Sequence, residues 1–85
     1  MDSRTLRILF GKRMRSLRKI RDLTQEALAE NTGLSVEYIS RIERGLASPS
    51  FDALATISNS LRVKPQSLFD FEQLIIDPLQ TDESE

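Results

Sequence analysis

Eighty-five residues, 39% hydrophobic and 29% charged, are enough for one globular domain and too apolar for a chain that stays unfolded. With neither Cys nor His, the chain has no disulfide framework, thiol nucleophile, imidazole acid/base group or common zinc site. The formal net charge of −1 hides an uneven distribution: residues 1–69 carry all 12 bases against seven acids, and residues 70–85 carry six acids and no base.

The sequence therefore reads as a basic body, about residues 1–76, followed by an acidic tail, 77–85, that is expected to be disordered. No apolar run approaches the roughly 20 residues of a membrane span. The short one at Leu6 and Ile8 to Phe10 is interrupted and followed by Arg and Lys, so it is not a secretory signal. No membrane association and a cytoplasmic location are the expectations.

In the first segment, Leu6, Leu9, Phe10, Met14 and Leu17 recur at steps of three and four, which predicts a helix over residues 3–21 with Ser3 as its cap. Arg4, Lys12, Arg15, Arg18 and Lys19 mostly fall on the other side, where the plain reading is a solvated face. Asp22 can take the left-handed conformation that ends a helix. Thr24 then caps a second helix, 25–31, whose Leu28, Ala27 and Ala29 permit close packing.

Gly33 supplies a turn, and Ser35 caps a third helix, 36–44. There Tyr38, Ile39 and Ile42 share one side, while Glu37, Arg41 and Arg44, with Ser40 beside them, lie about 150° around from it. Ser50 caps a fourth helix with a core stripe of Phe51, Leu54, Ile57 and Leu61. Pro65 opens a fifth, to about residue 76, until the Asp77-Pro78 step stops it.

A helix, a tight turn containing Gly and a second helix with a polar outer face form the arrangement whose second member fits the major groove of B-DNA. Two helices packed at a sharp angle are also a common structural device, so spacing alone does not decide. The residues Leu23-Thr24-Gln25, Leu28-Ala29, Gly33-Leu34-Ser35 and the run from Tyr38 to Gly45 add weight. Pro49, Leu54, Ile57, Leu61, Val63 and Leu68 continue the pattern. Over residues 8–70 the chain resembles the lambda-repressor-like, XRE/Cro-type helix-turn-helix family.

That resemblance implies an all-α, compact five-helix domain, with the helix-turn-helix at helices 2 and 3, that binds double-stranded DNA as a regulator of transcription. It implies base contacts by Ser35, Val36, Glu37 and Arg41, and backbone contacts by Thr24, Gln25, Tyr38, Ser40, Arg44 and Arg18. The chemistry fits: Arg41 can address guanine O6 and N7, Glu37 cytosine N4, and Val36 a thymine methyl. The competing reading makes Glu37 and Arg41 an i,i+4 pair worth ~0.3 kcal/mol.

Arg18 and Glu43 match positions that form an ion pair between helix 1 and the recognition helix, and each sits at the edge of its helix's apolar face. Asp22, Lys64 and the base-free residues 46–48 depart from common family patterns. Leu68, Phe69, Phe71, Leu74, Ile75, Ile76 and Leu79 exceed what one stripe can bury, so either a long last helix packs back on the core or, the favoured reading, Leu68, Phe71, Leu74, Ile75 and Leu79 form a homodimer interface. An antitoxin-like protein-interaction module with secondary DNA binding is the alternative. No enzyme activity, metal, cofactor or small-molecule ligand is indicated.

Overall fold

The computed structural model describes residues 1–72 and builds them from four α-helices and one short 3-10 helix. These are α1 (Ser3–Ile20), α2 (Gln25–Thr32), α3 (Val36–Glu43), α4 (Phe51–Leu61) and the 3-10 helix Pro65–Phe69. Helix α1 packs on α3 and on the 3-10 helix, α2 packs on both α3 and α4, and α4 closes against the 3-10 helix.

Every α-helix starts at a side-chain cap. The residue before α1 is Asp2, whose carboxylate accepts the Thr5 N–H at 2.8 Å, so Asp2 and not Ser3 is the cap. This bond holds the Asp2 carboxyl below its usual range. Thr24, Ser35 and Ser50 accept the amides of Ala27, Tyr38 and Ala53, each at 3.0 Å, as their spacing predicts. Lys64 makes no side-chain cap, and the segment it precedes is a 3-10 helix with Pro65 near its start.

Three helices end in the same way, on a residue in the left-handed region followed by an amide that reaches five residues back. Asp22 (φ 61°), Gly45 (φ 77°) and Arg62 (φ 59°) hold that position. The following amides of Leu23, Leu46 and Val63 bond the carbonyls of Arg18, Arg41 and Ser58. Gly33, at φ 79°, turns α2 into α3. Only at Arg62 does a long side chain accept a conformation that no pattern in the sequence announces.

The core is formed by Phe10, Met14, Leu17, Leu28, Ala29, Ile39, Ile42, Ala53, Ile57, Leu61 and Leu68. Each large member contributes roughly 1.5–3 kcal/mol on burial. Phe51, expected to begin the stripe of α4, is instead 87% exposed. It is the first residue of its helix, and the buried positions of α4 begin only at Ala53.

Gly11 lets α1 and α3 touch backbone to backbone, because a Cβ there would stand 2.5 Å from the Glu43 carbonyl oxygen and closer still to that of Ile42. Within the described residues the expected fifth α-helix to residue 76 appears as the 3-10 helix Pro65–Phe69, with helical conformation again at Glu72. Its later part and the acidic tail lie outside those residues.

Candidate nucleic-acid interface

Helix α3 is fixed on one side by Ile39 and Ile42, both fully buried. Opposite them, Val36, Glu37, Arg41 and Arg44 are exposed, with Ser40 half-buried between. Glu37 and Arg41 do not form the ion pair their spacing allows. Among the described residues the salt bridge present is that of Arg18 with Glu43, while Arg41 donates a long bond, 3.4 Å, to the Leu46 carbonyl. Arg44 likewise reaches only the Ser40 carbonyl, at 3.4 Å. Both guanidinium groups thus keep most of their donors turned to solvent.

Arg18 is different. It is 7% exposed, and its guanidinium is spent inside the protein. Nε donates to Glu43 Oε2 at 2.7 Å, Nη2 to Glu43 Oε1 at 3.0 Å and Nη1 to the Leu23 carbonyl at 2.8 Å. The sequence placed Arg18 both in an ion pair and on the DNA backbone. The ion pair is present, and with three of its five N–H donors bonded inside the protein and the residue 7% exposed, little of the guanidinium is left for the second role.

Arg13 and Arg21 brace the fold as well. Arg13 Nε bonds the Ser67 carbonyl at 2.8 Å, and Arg21 bonds the carbonyls of Leu61 and Arg62 at 2.6 and 3.1 Å. Sequence reasoning missed both, since the carbonyls they need lie 40 or more residues away along the chain. Arg7 adds a bond to the Gly45 carbonyl at 3.3 Å, where α3 ends against Ile8 of α1.

At the start of α2, Thr24 is exposed and capping, and Gln25 is half-buried, its amide nitrogen donating to Glu43 Oε1 at 3.0 Å. One amide proton remains for a group outside. Tyr38, at the edge of α3, packs its ring on the core and sends its hydroxyl to residues 48 and 50. The α2 start, the outer face of α3 and the 46–50 connection are in this way joined by side-chain bonds.

The surface expected to pair with a second copy is redrawn. Leu68 is completely buried in its own chain's core, which removes it from any contact with another chain. Phe71 is half-buried in an aromatic row, its ring 6.2 Å from that of Phe69, which in turn lies 5.1 Å from Phe10. Leu74, Ile75 and Leu79 fall outside the described residues. Among the described residues no group of His, Cys, Asp or Glu is placed to hold a metal ion, and no helix is long and apolar enough to cross a membrane.

Comparison with known proteins gives the same architecture. A helix-turn-helix family model matches residues 14–68. The control protein C.BamHI of Bacillus amyloliquefaciens is 42% identical over 67 residues, 78% of this chain and 83% of that protein. The immunity repressor of Bacillus phage phi105 is 37% identical over 65 residues, 76% of this chain but 45% of the repressor. Among solved structures, the restriction-modification controller protein C.AhdI from Aeromonas hydrophila has a TM-score of 0.73 at 35% identity, covering 74% of this chain and 96% of that one. An extended family match, a near full-length controller relative and a shared fold agree: this chain belongs to the lambda-repressor-like, XRE-type helix-turn-helix family.

Proposed function

We propose that this chain is a sequence-specific regulator of transcription, of the controller or repressor kind, that places α3 in the major groove of double-stranded DNA. The observation that carries the reading is the outer face of α3. Val36, Glu37 and Arg41 are exposed together on a helix anchored by Ile39 and Ile42, and the two charged groups are left unpaired by each other. An exposed acid and base held apart on a rigid helix are suited to reading cytosine N4 and guanine O6/N7.

Phosphate contacts fall to Arg44, Ser40, Thr24 and the second amide proton of Gln25, beside the unpaired N–H groups of the first turn of α2. A homodimer in the cytoplasm, reading a two-fold site with half-sites about 34 Å apart, completes the proposal. The controller and repressor names of the relatives support that choice of regulator, and no substrate chemistry is assigned.

Selection from random duplex DNA followed by footprinting tests it. The expected result is a defined two-fold site whose affinity falls steeply with salt. Recovery of no preferred sequence would overturn the reading.

A further inference from the structure

The phenol of Tyr38 bridges the recognition helix and the connection that follows it. Its Oη donates to the Ser48 carbonyl at 3.2 Å and accepts the Ser50 N–H at 3.2 Å. Ser50 is the residue that caps α4. The ring is packed on the core, so the side chain is anchored at one end by apolar contacts and at the other by two backbone bonds.

A phenol carries a single donor proton. Phosphate oxygens only accept, so a direct phosphate contact would require that proton to leave the Ser48 carbonyl. The segment it holds, residues 46–50, contains no Lys or Arg that could dock it by charge, so its position depends on internal bonds.

We propose that Tyr38 is a positioning residue for DNA binding: its hydroxyl fixes the α3–α4 connection in one conformation beside α3, and that connection, not the phenol, meets the DNA backbone. The inference rests on the DNA-binding reading above. Its consequence is entropic. A connection that is already ordered loses little freedom on binding, whereas a loosened one must be ordered at the expense of affinity.

The test is Tyr38→Phe, which keeps the ring and removes only the hydroxyl. With a folded variant, verified by its helical circular dichroism, the Ser50 amide should exchange with solvent at least about tenfold faster than in the wild type. Affinity for the selected site should fall by about three- to tenfold, with the slope against salt unchanged because no charged contact has been removed. Duplexes carrying one methylphosphonate at a time separate the two roles. A positioning hydroxyl weakens the response at several neighbouring phosphates together, whereas a direct contact abolishes it at one alone.

That second pattern, or affinity within twofold of wild type, overturns the proposal. Should the variant not fold, the wild-type chain answers: the Ser48 carbonyl and Ser50 amide resonances should keep their hydrogen-bonded shifts in the DNA complex, and loss of the Ser48 shift is the contrary result. Failure of the wild-type chain to select any DNA sinks the functional reading itself, and the comparison of Tyr38→Phe with a binding wild type sinks only this one.

Discussion

Gln25 and Glu43 share a hydrogen bond of 3.0 Å between the amide nitrogen at the start of α2 and Oε1 at the end of α3. The same oxygen receives Nη2 of Arg18, so one buried carboxylate ties three helical segments together. The orientation of Gln25 is a product of that arrangement: the nitrogen, not the oxygen, is drawn toward Glu43, and its second proton is left to donate.

Removing the carboxylate strands a buried cation. Glu43→Ala is expected to cost about 3–5 kcal/mol, the range for breaking a buried pair by deleting one partner, far above the 0–1 kcal/mol typical of exposed pairs. Urea unfolding of the full chain measures it. An unchanged midpoint would show that the Arg18 contact carries no net stability.

The contact between α1 and α3 predicts a second loss. Gly11→Ala puts a methyl group against two backbone carbonyls that cannot rotate away. The helix propensity gain of roughly 1 kcal/mol should be outweighed, giving net destabilisation of about 1–3 kcal/mol, as overpacking does. A melting temperature equal to or above wild type would mean that the two helices separate at little cost.

On the outer face of α3 the expectation reverses. Arg41→Ala should leave stability within about 0.5 kcal/mol while losing about 1–3 kcal/mol of discrimination at one base position. Binding to a panel of single-base variants of the selected site measures this. Uniform weakening across the panel would reassign Arg41 to the backbone.

Arg44→Ala, by contrast, should weaken all sequences alike and reduce the slope of log affinity against log salt by about one per site contacted. An unchanged slope at full occupancy would remove Arg44 from the phosphate contacts.

The cap of α1 gives a pH dependence. The Thr5 amide lowers the folded-state pKa of Asp2, so its support for the helix is present above the ordinary carboxylate value and is lost as pH falls through the depressed one. An NMR titration of Asp2 should give a midpoint below 3.8, with the Thr5 amide shift following it. Asp2→Asn, still a capping residue, should abolish that titration and retain the helix start.

The reading unit was legible because its signals are local. Thr24, Ser35 and Ser50 cap helices three residues ahead of the amides they accept, Gly33 sits at the turn, and Ile39 and Ile42 fall on one side of a short helix. What was not legible depends on distance in the chain. The charge pattern of α1 gave no sign of the braces made by Arg13 and Arg21, because their carbonyl partners come from residues 67, 61 and 62, whereas the Arg18–Glu43 pair was expected from the family resemblance. Leu68 belonged to an apolar surplus until α1 and α4 were seen to enclose it, and Phe51 continued a stripe by periodicity that its place at a helix start does not bury.

The arginine braces bear on how the protein discharges ions from DNA. The bases of residues 1–69 outnumber the acids, but a guanidinium that is desolvated within the fold displaces no cation from a phosphate. Counting charges along the chain therefore overstates the ion stoichiometry of binding. Arg13 and Arg18 are each only 7% exposed, so the measured salt exponent is weighted toward the groups that remain at the surface, Arg41 and Arg44 among them.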